Sequence, residues 1–289
     1  MTWRTVVPVD AVVPHVADPA WVVVDCRFSL AEPERGEHNY IYRRVRGAVY
    51  AHLDRDLSGP VVPGRTGRHP LPEPDALAAT LGRWGIGAGT QVVAYDDAGG
   101  AFAARLWWLL RWLGHDAVAV LDGGWTAWLA AGGPTAAGAE SRPPTAFVPR
   151  LRPAMVVDAA AVDAMRTDGR RRLLDARGAD RYRGENETID PVAGHIAGAV
   201  SAPFAANLGP DGRFKPVGEL RARYDALLAD VPPEGAVVYC GSGVTAAHDI
   251  LAMAHAGLEG AKLYAGSWSE WITDPRRVIE IGDSQARGG

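Results

Sequence analysis

"GTQVVAYDDAGGAFAAR", residues 89–105, returns later in the chain as "GAVVYCGSGVTAAHD", residues 235–249. In both stretches a short apolar, β-branched run leads into a small-residue loop and then into a segment with helical spacing. This pattern is typical of a buried parallel strand followed by a helix. A repeated strand–loop–helix unit predicts a duplicated domain. The two loops differ in sequence, and Asp96 stands where the second copy has Cys240.

Three further pairs of segments repeat in the same order along the chain. The pairs are "WVVVDCR" (21–27) with "RLLDAR" (172–177), "RVRGAVYAHL" (44–53) with "HIAGAVSAPF" (195–204), and "LDGGWTAW" (121–128) with "YAGSWSEW" (264–271). Strands that alternate with helices predict an α/β fold, here two domains with mostly parallel sheets flanked by helices. We predict domains at residues 1–135 and 153–289. The segment 136–152, part of a stretch rich in Gly, Pro, Ala and Thr (130–153), is predicted to link them.

Composition restricts the class of protein. The 289 residues carry a net charge of -4, with 47% hydrophobic and 22% charged residues, which is typical of a soluble globular protein. The small acidic excess argues against a nucleic-acid binder. Two cysteines without a C-x-x-C motif exclude a disulfide scaffold and give no zinc signature. The sequence shows neither a signal peptide nor a membrane-spanning run, so we expect a cytoplasmic protein that does not bind membranes.

Cys240 is the candidate nucleophile. It stands at the end of a predicted strand, and such sheets bind ligands beyond the carboxyl ends of their strands. A glycine-containing loop followed by a helix turns backbone N–H groups toward one point, and those donors stabilise a thiolate. The loop residues expected to contact substrate are Gly241, Ser242, Gly243, Val244 and Thr245. The other cysteine, Cys26, is replaced by Ala176 in the second copy, so we expect it to be a small core residue.

Two other chemistries use loops of this shape. Phosphate-ester hydrolysis by a cysteine needs the motif C-x5-R, in which an arginine holds the phosphate, but the corresponding residue is Ala246. Dinucleotide binding needs G-x-G-x-x-G/A, which Gly241, Gly243 and Ala246 match. That motif also needs an acidic residue at the end of the next strand, where this chain has "YAG". The sequence therefore disfavours both.

The motifs "CGSGVTA" (240–246), "GHIAGAV" (194–200) and "DARGADRYRG" (175–184), with "LDGGW" and "GSWSEW", resemble the two-domain rhodanese family. These proteins are thiosulfate and 3-mercaptopyruvate sulfurtransferases. The resemblance implies a persulfide on Cys240, formed by ping-pong catalysis that requires no cofactor or metal. It also implies that the first copy, with Asp96, is catalytically silent. The implied partners are a small anionic sulfur donor and an acceptor, either cyanide or a thiol such as that of a thioredoxin-like protein.

The resemblance also assigns side chains outside the loop. Arg181 matches the arginine that holds the anionic donor, and Arg183 is expected to assist it. His69 in "RHPLP" matches a histidine that the family relates to the loop serine. The aspartate that accompanies this histidine is either Asp54 or Asp56.

The resemblance leaves the donor open. The neutral loop "CGSGVTA" is of the 3-mercaptopyruvate type. That type also tends to have a second arginine in the segment "ENETIDPVAG" (185–194), which here contains none. We predict thiosulfate as the donor, with 3-mercaptopyruvate as the alternative. A further alternative is a non-enzymatic sulfur-carrier or redox-sensing module.

Overall fold

The computed structural model describes residues 2–283, which form two compact units. The first comprises residues 2–59, Leu71–Pro153 and Leu208–Phe214, and the second comprises Pro60–Pro70, Ala154–Asn207 and residues 215–283. The predicted outer boundaries at residues 1 and 289 lie outside the described residues. Each unit therefore includes a short segment from the other half of the sequence.

The first unit is an α/β domain. Its elements, in chain order, are β1 (Val6–Val7), α1 (Val9–Val12), β2 (Trp21–Asp25), α2 (Arg35–Tyr42), β3 (Arg44–Val45), β4 (Val49–Tyr50), α3 (Pro74–Arg83), β5 (Gln91–Tyr95), α4 (Ala103–Trp112), β6 (Val118–Leu121), α5 (Gly124–Ala130) and β7 (Thr135–Ala136), with a 3-10 turn at Val13–His15.

The main sheet of this unit is parallel, with the strand order β1–β6–β5–β2–β4, and β3 pairs with β7 in a separate antiparallel ladder. The central strands β2 and β5 pair along their whole lengths, from Trp21 opposite Gln91 to Asp25 opposite Tyr95. Every residue of β5 is buried, as expected for a strand that helices cover on both faces. Asp96 follows β5 directly, at the edge where the strands end.

The second unit repeats this architecture. Its elements are β8 (Val156–Val157), α6 (Ala159–Met165), β9 (Arg172–Asp175), α7 (Ala179–Arg183), β10 (His195–Ile196), β11 (Val200–Ser201), α8 (Val217–Leu228), β12 (Ala236–Tyr239), α9 (Thr245–His255), β13 (Lys262–Tyr264), α10 (Ser267–Trp271) and β14 (Ile279–Glu280), with 3-10 turns at Pro153–Met155, Phe204–Asn207 and Pro233–Gly235.

Its main sheet is also parallel, with the order β11–β9–β12–β13–β8, and β10 pairs with β14 in an antiparallel ladder. When the repeated segments are matched, this order is the same as that of the first unit. The predicted tandem α/β fold is thereby confirmed. The strand β12 ends at Tyr239, one residue earlier than we predicted, so Cys240 is the first residue of the loop.

Each unit has its own hydrophobic core between sheet and helices. Val23, Val93 and Trp128 belong to the first core, and Leu173, Tyr239 and Trp268 belong to the second. The segment 136–152, expected to be a linker, contains no helix, and no strand after Ala136; it belongs to the first unit, where Thr145 N–H donates to Gly82 O at 2.9 Å. Within residues 2–283, no helix is long and apolar enough to cross a membrane.

Candidate active site

The loop between β12 and α9 turns sharply around Gly243. This residue has φ of +77°, and a Cβ atom there would lie 2.3 Å from Ala265 O. Both the left-handed conformation and the close approach restrict the position to glycine. The turn brings the chain back over the end of β12 before α9 begins at Thr245, so that the N-terminus of an eleven-residue helix closes the loop.

The thiol of Cys240 accepts a hydrogen bond inside this turn. The N–H of Gly243 donates to Cys240 Sγ at 3.1 Å. The main chain of Cys240 is held as well, because its N–H donates to Ser267 Oγ at 3.1 Å and its carbonyl accepts from Trp268 N–H at 2.9 Å. Cys240 is only 2% exposed. A backbone donor and a helix N-terminus beside a buried sulfur stabilise negative charge on that sulfur.

The corresponding loop of the first unit already contains an anion. The carboxylate of Asp96 accepts four backbone N–H bonds, from Ala98 and Gly100 on one oxygen and from Phe102 and Ala103 on the other, each at 2.8 Å. Burial raises the pKa of Asp96, and these four bonds oppose that rise. A loop at this position of the fold therefore directs its N–H groups at the residue that follows the strand.

Cys26 provides the contrast that we expected. It lies in the first unit, is 1% exposed, and packs as part of the core. Burial raises the pKa of its thiol well above the ordinary value, and the nearby carboxylates of Asp96 and Asp25 raise it further. A thiol in this setting stays protonated and unreactive.

Two guanidinium groups face Gly241, next to the candidate nucleophile. A Cβ atom placed on Gly241 would lie 2.9 Å from Arg68 Nη2 and 3.6 Å from Arg181 Nη1. Arg181, which the sequence resemblance assigned to donor binding, comes from α7. Arg68 comes from the segment Pro60–Pro70, which lies in the second unit although it belongs to the first half of the sequence.

Two carboxylates hold these arginines. Asp190 binds Arg181 Nη2 at 3.0 Å through one oxygen and Arg68 Nη1 through the other. Glu187 receives Arg181 Nε at 3.0 Å and Nη2 at 2.8 Å. Burial raises the pKa of Asp190, which the two arginines counteract. Burial also acts to raise the pKa of Glu187, but the N–H groups of Asp190 and Ile189 and the guanidinium of Arg181 lower it below its usual value.

A histidine–serine pair lies on the same loop. His69 Nδ1 is 2.7 Å from Ser242 Oγ, and both side chains are buried. The sequence resemblance related these two residues, and the structure places them in hydrogen-bonding contact. The choice between Asp54 and Asp56 stays a prediction; both belong to the first unit, where they bond to His52 through Asp54 N–H and Asp56 Oδ2.

Arg183 has a different environment from that of Arg181. Its guanidinium donates to the exposed carboxylate of Glu185 at 2.7 and 2.9 Å. Its expected assistance to Arg181 stays a prediction. Val244 is the N-cap residue of α9, and Thr245 is its first residue rather than the last residue of the loop. Their expected contact with substrate stays a prediction.

Arg68 and Asp190 are the site residues that sequence reasoning missed. Arg68 directly precedes His69, which the resemblance had selected, so a second polar residue at that place was a signal that could have been used. Asp190 lies in the segment where an arginine was sought, nine positions after Arg181. Among the described residues, no group of three or more His, Cys, Asp or Glu side chains could hold a metal ion.

Comparison with known proteins agrees with this geometry. The sequence profile of the rhodanese-like domain matches residues 9–131 and again residues 158–274. The chain belongs to the rhodanese family. Its two matched regions correspond to the repeat seen in the sequence and in the two sheets.

Several relatives of known name cover nearly the whole chain. A Pseudomonas aeruginosa protein named "Probable 3-mercaptopyruvate sulfurtransferase" is 51% identical over 270 residues, 93% of this chain and 95% of the relative. The thiosulfate sulfurtransferase of Bos taurus is 33% identical over 278 residues, 94% of this chain and 91% of the relative. The structure of 3-mercaptopyruvate sulfurtransferase from Leishmania major matches with a TM-score of 0.82 and 32% identity, covering 93% of this chain and 74% of that chain. These relatives confirm the prediction that the chain is an enzyme, a sulfurtransferase of the rhodanese type.

Proposed function

We propose that this enzyme moves a sulfane sulfur from a small anionic donor to cyanide or a thiol through a persulfide on Cys240. The observation that carries the proposal is the convergence of three groups on one loop. Gly243 N–H bonds to the Cys240 sulfur, while the guanidinium groups of Arg68 and Arg181 face the adjacent Gly241. A nucleophilic sulfur and a paired-arginine anion site side by side are what transfer from an anionic donor needs.

With thiosulfate, the donor that the sequence predicts, the Cys240 thiolate attacks the outer sulfur. The new bond joins the two sulfurs, the donor S–S bond breaks, and sulfite leaves with the electron pair. The persulfide anion that remains is stabilised by the same N–H donor and helix N-terminus as the thiolate. Cyanide then attacks the outer sulfur and leaves as thiocyanate, which returns Cys240 as a thiolate.

The Ser242–His69 pair supports 3-mercaptopyruvate as a second candidate donor. Here the thiolate attacks the donor sulfur, the C–S bond breaks, and the electron pair leaves as the enolate of pyruvate. That carbanion must gain a proton to become pyruvate, whereas sulfite leaves without one. A hydroxyl 2.7 Å from an imidazole nitrogen is a group that polarises a carbonyl and relays a proton.

We further propose that residues 153–289 form the catalytic domain and that the domain formed by residues 1–135 is catalytically silent. Asp96 occupies the nucleophile position of the first copy, and its carboxylate already takes up four backbone donors. Such a site has neither a thiol nor free donors for a persulfide. The segment Pro60–Pro70 contributes Arg68 and His69 to the catalytic unit.

For the acceptor and the compartment, we propose a thiol, such as that of a thioredoxin-like protein, in the cytoplasm. Both cysteines in the described part of the chain are free thiols. Turnover through a persulfide needs Cys240 in this reduced form, which a reducing compartment maintains. An acceptor thiolate would attack the outer persulfide sulfur as cyanide does.

The test is a pair of cysteine variants assayed with both donors. Cys240→Ser should abolish transfer to cyanide from thiosulfate and from 3-mercaptopyruvate. Cys26→Ala, the matched control, should keep most of the activity, because the second copy has alanine at that position. Mass spectrometry of the donor-treated wild type should find one added sulfur on the peptide that contains Cys240. Substantial activity in Cys240→Ser would refute the proposal.

A further inference from the structure

Asp190 occupies an unusual position between the two arginines of the donor site. Its side chain is 2% exposed, and each of its oxygens binds a different guanidinium group. Arg68 and Arg181 thus share one carboxylate rather than being held by separate ones. Any donor anion at Gly241 would approach two cations that already have a buried negative charge between them.

The arginines nevertheless keep hydrogen-bond donors for a ligand. Among the described residues, Arg68 Nε is buried without a hydrogen-bond partner. The bonds of Arg181 to Glu187 and Asp190 use Nε and Nη2, while its Nη1 lies 3.6 Å from the place of a Cβ atom on Gly241. A donor carboxylate or sulfonate can therefore be hydrogen-bonded here without displacing Asp190.

The formal charges around these donors cancel. Three arginines and three carboxylates form one connected cluster, in which each carboxylate lies within 3.5 Å of an arginine nitrogen. Its members are Arg68, Arg177, Arg181, Asp175, Glu187 and Asp190. The cluster offers directional N–H donors without net positive charge. Hydrogen bonds stabilise either sulfur donor when it is bound, but the second negative charge of a dianion gains little attraction from a cluster without net charge.

We propose that Asp190 is a specificity-determining residue that biases the donor site toward a monoanion, an α-keto thiol carboxylate, and against dianionic thiosulfate. The inference rests on the proposed transfer through Cys240, and it favours 3-mercaptopyruvate, the second candidate donor, over the thiosulfate that the sequence predicted. Thiosulfate carries two negative charges and 3-mercaptopyruvate carries one, so the carboxylate of Asp190 repels thiosulfate more strongly. Both sulfur donors would use the same nucleophile, loop and arginines. They differ in how strongly the negative charge of Asp190 repels them.

The test is the ratio of kcat/KM for thiosulfate to kcat/KM for 3-mercaptopyruvate. Asp190→Asn removes one negative charge at nearly constant shape, and the ratio should rise by about tenfold, the low end of what one nearby charge does to an ionisation equilibrium. Asp190→Glu keeps the charge and should keep the wild-type ratio, even where both rates fall. Asp225→Asn removes the same charge from an exposed ion pair with Arg221 and should change neither rate.

Arg68→Gln tests the same idea with the opposite sign. Removing a positive charge should lower the ratio, and this variant decides the question if Asp190→Asn does not fold. An unchanged ratio in folded Asp190→Asn, or an equal shift in Asp190→Glu, would overturn the inference. Failure of the proposed function would look different, because Cys240→Ser would then remain active with either donor.

Discussion

Ser267 is a buried residue in a left-handed conformation, and its hydroxyl holds the main chain of Cys240. Its φ is +55°, and it is one of two non-glycine residues in the described chain with positive φ. Ser267 Oγ accepts from Cys240 N–H at 3.1 Å and donates to Tyr264 O at 2.9 Å. The matching residue in the first unit is Gly124, with φ of +53° and no thiol to position. We predict that Ser267→Gly preserves the fold but slows sulfur transfer.

The expected change in stability is small because opposing effects nearly cancel. Relief of the left-handed backbone contributes about 1–2 kcal/mol in favour of glycine. The loss of two hydrogen bonds costs about 0.5–1.5 kcal/mol each. The greater freedom of glycine in the unfolded chain costs about 0.5–1 kcal/mol more. The free energy of unfolding should therefore fall by about 1 kcal/mol. Loss of the fixed position of Cys240 should lower kcat by about tenfold or more, since small misplacements of reacting groups are costly.

The assay compares Ser267→Gly with Ser267→Ala by urea unfolding and by steady-state sulfur transfer. Alanine loses the hydroxyl but keeps the Cβ in the left-handed conformation, so it should be about 1 kcal/mol less stable than the glycine variant. The two variants should lose the same activity, because both lack the hydroxyl. Wild-type kcat in Ser267→Gly would refute the positioning role, and greater stability of the alanine variant would refute the argument from backbone conformation.

Four further predictions concern other residues of the two loops and helices. Burial raises the pKa of Asp249 to about 7 in the folded protein, above its ordinary value of 3.8. Because the unfolded chain releases this proton first, the folded protein loses stability as the pH rises from about 4 to 7. In urea unfolding, Asp249→Asn should therefore gain stability relative to wild type between pH 5 and pH 8; a constant difference would contradict this. Asp96→Ala leaves four backbone N–H groups without their acceptor, of which those of Gly100 and Ala103 are buried, so calorimetry should show the free energy of unfolding lowered by at least about 2 kcal/mol, and a smaller loss would mean that water replaces the carboxylate. Asp96→Cys should not restore sulfur transfer to Cys240→Ser, and recovered thiocyanate formation would show that the first unit is not silent. Gly243→Ala forces a Cβ to 2.3 Å from Ala265 O, so that transfer should be lost through a displaced loop, and normal transfer would show that the turn adapts.

Much of the fold was predictable from the sequence because its strands are buried and continuous. The runs "WVVVD" and "QVVAY" are the strands β2 and β5, and their repeats are β9 and β12. The two-residue ladders of β3 with β7 and of β10 with β14 left no such signal. Two residues carry no periodicity, so these ladders depend on tertiary contacts that bring distant segments together.

The candidate site was also predictable from the sequence only in part. Cys240, Ser242 and Gly243 lie in one short motif, and residues this close in sequence are placed together by the local backbone. The bond between Arg68 and Asp190 spans 122 positions of sequence, and no motif or periodicity pairs these two residues. It exists because the segment Pro60–Pro70 joins the second unit, which repeat matching alone does not indicate. Whether two charged residues so far apart in sequence meet depends on the tertiary path of the chain between them.

The two copies show why one loop can serve both structure and catalysis. In the first, the anion is permanent, since Asp96 fills the turn with four bonds and glycine suffices at position 124. In the second, we propose that the anion is the sulfur of Cys240, which carries the transferred sulfur during turnover, and the N–H of Gly243 donates to it. The fold then has to fix the Cys240 main chain from outside the loop, which is the task of the Ser267 hydroxyl. If the second copy is the catalytic one, as we propose, its loop needs a polar anchor behind the nucleophile that the first copy can do without.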